Sequence, residues 1–420
     1  MDRINDDNLR TPRRRLLAAA AGVGTLAALP ARRALAGPVG SAGALGFAEI
    51  PDGALAEQLL ERLPGKLPLI KKTYRPPNFE TPIEYFRSVI TANDTFFVRW
   101  HLAGIPIVNA REWKLSLGGD SLQQPRSYTL EQLRREFAPV EITAVCQCSG
   151  NRRGLFVPHV PGVEWGVGAM GNALWRGVRL KDLLVRSGLK PTAVEVVFDG
   201  ADTAAIDKTP DFVKSLPVEI ALDDNTLIAF EMNGQPLPHW NGFPARLVVP
   251  GWTGTYWVKA VVSINAVSTP ETNFWMKTAY RLPRGKYPGY AFKTQQAETT
   301  EPITSMVTNS LITSFGVGHQ VPRGKPLVVK GIAWDGGSGI DRVDVSSDAG
   351  DSWQRAKLGR DHGRFSFREF ELSMATPATG SRVVMARATS RSGETQSEQL
   401  SHNPAGYHHN VMQRLYVEVV

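Results

Sequence analysis

Cysteine occurs twice in the 420-residue sequence, and both copies fall in one run, Ala144-Val-Cys-Gln-Cys-Ser-Gly-Asn-Arg-Arg-Gly154. A thiolate is a soft metal ligand, and nearby guanidinium groups favour its charged form and gather anions. Closing a disulfide across one intervening residue would strain the backbone and the S–S torsion, so the spacing argues against a bridge. A buried structural cysteine needs neither paired arginines nor glycines. The run therefore reads as a metal thiolate beside an anion site, with Cys146 or Cys148 as the ligand. There is no Cys-x-x-Cys-His, so no c-type haem is expected to be attached to this chain.

The elements that must hold such a loop are short. Hydrophobic patterning gives strands at 96–101, with Arg99 and His101 on one face, and at 113–117, 140–146, 193–198 and 227–231. Buried strands are expected near 247–250 and 257–264, either side of a turn at 251–254. Helical spacing is expected at 50–63, 129–136 and 180–187, the last ended by Gly188. A Pro-rich extended segment covers 71–81, and a glycine-rich loop carrying Trp165 covers 163–173. After about residue 298, short strands at 328–333, 340–346, 365–372, 382–388 and 415–419 alternate with turns rich in Gly, Asp and Ser. That texture predicts an immunoglobulin-like sandwich. The expected class is α+β, a mixed α/β catalytic domain at 75–297 followed by a β-sandwich at 298–420.

The formal charge is +8, and residues 1–36, with seven Arg and three Asp, supply half of it. The remaining excess has no basic stripe interleaved with aromatics, which argues against nucleic-acid binding. Arg13-Arg14-Arg15, a modest apolar stretch and Ala34-Leu35-Ala36 together have the form of a twin-arginine export signal at 1–36. A linker and N-terminal segment follow at 37–74. The expected location is the periplasm, reached already folded by the twin-arginine machinery, with no membrane span.

Several stretches, in order, resemble the sulfite oxidase family of molybdenum enzymes: Phe97-Val-Arg-Trp-His101, Cys148-Ser-Gly-Asn-Arg-Arg153, Gly162-Val-Glu-Trp165, Phe230-Glu-Met-Asn-Gly-Gln-Pro-Leu-Pro238, Gly242-Phe-Pro-Ala-Arg246, Val249-Pro-Gly251 and Trp257-Val-Lys259. Within it the chain is similar to the bacterial periplasmic sulfite dehydrogenases, which pass electrons to a c-type cytochrome. The resemblance covers roughly residues 75–420. It implies a molybdenum–pyranopterin cofactor with Cys148 as the protein ligand and Cys146 as a core neighbour. It also implies Phe97, Arg99, His101, His239, Arg246, Thr253, Thr255 and Lys259 at the cofactor. The substrate side falls to Arg99, Arg153, Trp165 and Tyr280. A further late arginine is expected, with Arg414 as the candidate because Pro404-Ala405 stand where some members carry arginine. Arg152 is left as a surface or loop-bracing residue. His408-His409 lack further ligands at metal spacing and are read as packing or partner residues.

The implied reaction is oxidation of sulfite to sulfate with a c-type cytochrome as acceptor or subunit, in a homodimer or heterodimer. Oxidation of a sulfane sulfur, reduction of methionine sulfoxide, and a cofactor-free exported binding protein are the alternatives.

Overall fold

With 39 glycines and 29 prolines the chain turns too often for long helices. The computed structural model describes residues 59–284 and 300–420. The expected leader at 1–36 and most of the segment after it lie outside the described residues. Within them the longest helices, Leu130–Glu136 and Leu180–Arg186, have seven residues each. The first starts on a capping box, with the Thr129 hydroxyl and the Gln132 side chain each satisfying the other's backbone N–H.

Three sheets make up the first part. A four-stranded antiparallel sheet runs Leu60–Glu61, Leu69–Tyr74, Pro77–Glu80, Val98–Arg99. A five-stranded sheet has the order Lys214–Pro217, Glu195–Gly200, Val261–Val267, Lys114–Gly118, Arg126–Thr129, and its Val261–Val267 and Lys114–Gly118 strands are parallel. The third carries the cysteines: Val140–Gln147 pairs with Met170–Arg179, which pairs with Leu227–Met232. Cys146 stands opposite Gly171 in that ladder, where a Cβ would fall 2.4 Å from the Phe96 ring. Only glycine lets Phe96 close over the strand there.

Two expectations change. The segment 96–101 is strand only over Val98–Arg99, because the Thr95 and Phe96 amides turn back to the Ala92 carbonyl. The helix expected over 50–63 falls largely outside the described residues, and its described end contains the strand Leu60–Glu61.

The second part is an immunoglobulin-like sandwich. One sheet runs Asn309–Ile312, Leu327–Trp334, Arg368–Met374, Lys357–Leu358; the other runs His319–Val321, Arg414–Val419, Gly380–Ser390, Ile340–Ser346, Gln354–Arg355. Val329, Val343, Val345, Ala386 and Val417 fill the space between them. A separate apolar layer joins the two parts: Phe86, Val145 and Met170 pack on Met306, Leu311, Trp334 and Phe367. Polar contacts reinforce it, with the Trp334 indole donating to Gln147 at 2.7 Å and Asn172 donating to Ser366 at 2.9 Å. No helix among the described residues is long and apolar enough to cross a membrane.

Candidate active site

Strand Val140–Gln147 delivers the cysteine loop, and the Cys148 amide extends the ladder by one bond, to Ala169 at 2.9 Å. The loop is then zipped to the glycine-rich segment beside it. Asn151 accepts from the Ala169 amide at 3.0 Å, and the amides of Arg152 and Gly154 donate to Gly166 and Trp165 at 2.7 and 2.9 Å. The buried Glu80 carboxylate clamps that segment from outside, accepting from the Gly166 and Gly168 amides at 2.8 Å each and pairing with Lys72 at 3.2 Å.

Arg152 has left-handed backbone (φ 69°), so the adjacent arginines part. Arg152 is buried and donates to the Ser310 and Val411 carbonyls of the sandwich at 2.8 and 3.1 Å, which makes it a loop brace rather than a surface residue. Arg153 turns the other way and donates to Ala405 at 2.9 Å. A Cβ on Gly150 or Gly162 would meet the Arg153 guanidinium at 2.4 or 2.9 Å, so these glycines form the slot that holds it.

The cleft beside Cys148 is lined by Phe97, Arg99, His101, Cys146, Arg246, Thr255, Lys259 and Tyr280, which brings together eight of the residues singled out in the sequence, with Cys146 as near neighbour to Cys148. Arg99 donates to Asn78 Oδ1 at 3.2 Å and to the Trp100 carbonyl, and lines the cleft with Cys148 and Tyr280; burial pushes its guanidinium down, but Tyr280 and Cys148 more than offset that and raise it. His101 Nε2 shares a hydrogen bond with the Tyr280 hydroxyl, and its ring stacks on Phe212 at 3.5 Å. Burial, followed by Arg99, Lys259 and Lys214, holds His101 well below the usual histidine range, so it is neutral. Arg246 donates to the Asn241 and Trp257 carbonyls at 2.9 and 3.0 Å and lies 3.8 Å from Cys146. Burial raises the Cys146 thiol despite Arg246, as suits a packed, protonated neighbour. Burial also lowers Lys259 to about 8.

The remaining expected residues stand further out. Thr253 is buried and accepts from Ser149 at 2.9 Å, tying the cysteine loop to the turn that carries Thr255. Trp165 is fully buried behind the loop, in the same apolar cluster as Cys148. His239 is exposed and packs against Trp240, outside the cleft lining. Arg414 does not reach the cleft: strand Arg414–Val419 pairs with Gly380–Ser390, and the Arg414 guanidinium responds to Glu398 and Tyr416. The sandwich instead approaches through the 403–410 turn. His409 is buried and His408 half-buried, and no group of three or more His, Cys, Asp or Glu that could hold a metal occurs among the described residues.

One residue that sequence reasoning gave no role is Lys214. It is buried, donates to the Trp275 carbonyl at 2.7 Å, and lies over the Tyr256 and Tyr280 rings at 4.5 and 5.4 Å. Its signal was a lone lysine inside the apolar run Phe212-Val-Lys-Ser-Leu216.

This arrangement fits an anionic metal cofactor. A single protein thiol, without further protein ligands, leaves a metal's other positions to donors the cofactor brings. Arg99, Arg246 and Lys259 converge with no carboxylate paired directly to any of them, and Asp202 acts on Lys259 only at longer range. Thr255 Oγ1, Arg246 Nε and His101 Nδ1 are buried polar atoms with no hydrogen-bond partner among the described residues. Orphaned polar atoms and unmatched cations around one cleft are what a phosphate-bearing ligand would satisfy. Gly254 lets that turn pass close to the cysteine strand: a Cβ there would meet the Gln147 carbonyl at 3.0 Å.

Comparison with known proteins points the same way. Residues 101–275 match the oxidoreductase molybdopterin binding domain and residues 300–420 the Mo-co oxidoreductase dimerisation domain. The chain is 34% identical to mitochondrial sulfite oxidase of Rattus norvegicus over 361 residues, covering 82% of this chain and 65% of that one. It is 34% identical to sulfite oxidase of Gallus gallus over 342 residues, 78% and 72% of the two chains. The chain thus spans just under two thirds of the rat protein's length. Among solved structures, the sulfane dehydrogenase SoxCD from Paracoccus pantotrophus matches with a TM-score of 0.71 at 26% identity, over 90% of this chain and 92% of that one.

Proposed function

The chain belongs to the sulfite oxidase family of molybdopterin oxidoreductases, and from that premise we propose that it oxidises sulfite to sulfate in the periplasm, passing electrons one at a time to a c-type cytochrome. The observation that carries the reading is the meeting of Cys148, Arg99 and Tyr280 in a cleft whose cations have no directly paired carboxylate among the described residues. In the net reaction water supplies the added oxygen, and two protons and two electrons leave. When bound at Cys148, the cofactor supplies the metal that makes two-electron oxygen transfer possible.

Arg246, Lys259 and Thr255 would hold its phosphate end, where burial strengthens each charge-assisted bond. Arg99 spans the ligand thiol and the substrate side, and Arg153 borders that side. A guanidinium fork matches an oxyanion better than a point charge. Tyr280 is fixed by His101, which stays neutral and therefore adds no charge to the pocket. The hydroxyl so held can order the path by which product protons leave. Phe97 and Trp165 keep water from the thiol's surroundings. The export reading rests on Arg13-Arg14-Arg15 and the stretch after it, and association through the sandwich rests on its match to a dimerisation domain.

The test is sulfite-dependent reduction of ferricytochrome c by the purified, molybdenum-loaded protein. Cys148→Ser should bring both metal content and activity to background, and full activity in a metal-loaded Cys148→Ser protein would sink the assignment. A second reading, oxidation of a sulfane sulfur, is favoured by the SoxCD match over nine tenths of both chains. Activity on a protein-bound sulfane and none on sulfite would select it. A protein purified without molybdenum would favour the binding-protein alternative, and methionine sulfoxide reduction is a fourth arm of the same assay.

A further inference from the structure

At the point where the sandwich comes closest to the cleft it presents an aromatic ring. Residues 403–407 form a tight turn organised by one side chain. Asn403 Oδ1 accepts from the amides of Ala405 and Tyr407 at 3.3 and 3.1 Å, and Asn403 Nδ2 donates to the Tyr407 carbonyl at 2.8 Å. Gly406 sits at φ +62°, and a Cβ there would lie 2.4 Å from Val160 and 2.8 Å from Arg153. The turn is therefore pressed against the cysteine loop with no space to spare.

The side chain so placed is Tyr407, which is buried. Its ring stacks on Tyr280, with centroids 5.7 Å apart and planes 23° from parallel. The Arg153 guanidinium lies over the same ring, 4.9 Å from its centroid, while Arg153 Nε is held by Ala405 of the same turn. Tyr280 needs such support: its backbone is left-handed (φ 57°), which a bulky residue adopts only under constraint from its surroundings. Tyr407 also borders the groove outside, beside His402 and Leu282, whereas Tyr280 lines the inner cleft. The stacked pair is the partition between the two spaces. The phenol of Tyr407 feels Tyr280, Arg153, Cys148 and Arg99, with burial the largest influence, raising it and keeping it neutral.

We propose that Tyr407 is a positioning residue: its ring, carried by the sandwich, sets both Tyr280 and Arg153 for an oxyanion at the Cys148 cleft. The proposal rests on the reading that those two side chains serve an oxyanion substrate. It makes the sandwich part of the reaction site, through one side chain that touches two others.

The test uses the full, molybdenum-loaded chain with Tyr407→Phe, which keeps the ring, and Tyr407→Leu, which removes it. Because small displacements of positioned groups are costly, Tyr407→Leu should lower kcat/KM for sulfite by about tenfold to hundredfold, with KM raised through Arg153 and kcat lowered through Tyr280. Tyr407→Phe should stay within about threefold of wild type, since stacking and cation–π contacts belong to the ring. In a double-mutant cycle, Arg153→Gln should cost less in the Tyr407→Leu background than alone; a residue serving only the fold would give additive losses. Calorimetric titration with sulfate supplies a readout independent of turnover, and Tyr407→Leu should bind it more weakly. Wild-type constants in Tyr407→Leu, additivity in the cycle, or equal damage from Tyr407→Phe would each overturn the proposal. If wild type oxidises no sulfite, the functional reading fails separately. The sulfate titration then decides Tyr407, and equal affinity in wild type and Tyr407→Leu would dismiss it.

Discussion

On the sandwich, Lys330 meets Glu371 at 2.9 Å with both side chains more than half exposed, and Arg391 meets Asp361 at 2.8 Å at the surface. In the cleft beside Cys148, Arg99, Arg246 and Lys259 lie together and none pairs directly with a carboxylate. The sandwich core between its sheets is aliphatic, whereas the cleft is walled by thiols, guanidiniums and a phenol. One part of the molecule solves charge by exposure and pairing; the other collects it in a place where water cannot relieve it. Buried charge without a partner is costly, so a fold that keeps it is keeping it for a ligand of opposite sign.

The contrast can be broken most sharply at Arg99. Arg99→Ala removes the group that joins the ligand thiol to the substrate side, and kcat/KM for sulfite should fall by about a hundredfold or more, on the scale of losing a transition-state donor. A loss below about threefold would mean that the cleft's cations do not act on the reaction.

Glu80 tests the scaffold instead of the charge. Glu80→Gln gives up charge-assisted bonds to two amides and the pairing with Lys72, at a cost of about 2 kcal/mol in unfolding free energy by denaturant titration. The same variant should lose metal more readily, since the loop it clamps carries Cys148.

Lys214 sharpens the comparison through pH. Burial, then Arg281, lowers it to about 7 in the folded chain, whereas the unfolded chain keeps the ordinary lysine value of 10.5. The unfolded state therefore binds more protons between these values, and stability rises with pH across that window. The penalty of charging Lys214 is present in full below about pH 7 and relieved toward pH 10. Lys214→Met should stabilise the cofactor-free protein by on the order of 1 kcal/mol at pH 6.5, after allowing for its lost bond to Trp275, and this advantage should vanish near pH 10. An advantage independent of pH would show that Lys214 is already charged in the fold.

The smallest effect belongs to the surface. Truncating Lys330 and Glu371 to alanine, singly and together, should give a coupling of about 0.5 kcal/mol or less, screened further by salt. A coupling above about 1 kcal/mol would blur the distinction between the two parts.

The cysteine loop and the Arg99–His101 pair could be picked out in the sequence because each sets unusual residues in a patterned run, whereas Tyr280 came only through the family resemblance. The helix at 129–136 and the sandwich strands were legible for the same reason: local periodicity and capping decide them. What was not legible depended on long-range contact. Arg153 and Ala405 are 252 residues apart, and no spacing rule reports that they touch. Arg414 was sought as a late guanidinium, but its strand is committed to pairing with Gly380–Ser390 and the turn before it does the reaching. Arg152 could be read only as a surface or loop-bracing residue, because nothing local shows which, or that two sandwich carbonyls receive it. Lys214 went unread because a single lysine on an edge strand looks solvent-facing until Tyr256, Trp275 and Tyr280 close over it.

The Arg152 brace bears on time as well as shape. Its guanidinium donates to the Ser310 and Val411 carbonyls and lies over the Trp334 ring, all three in the sandwich. During synthesis, the loop bearing Cys148 is made long before those acceptors exist, and it cannot settle until residue 411 has emerged. Until then a buried cation would have no place to go. The brace behind the loop bearing Cys148 is thus completed only when nearly the whole chain is present.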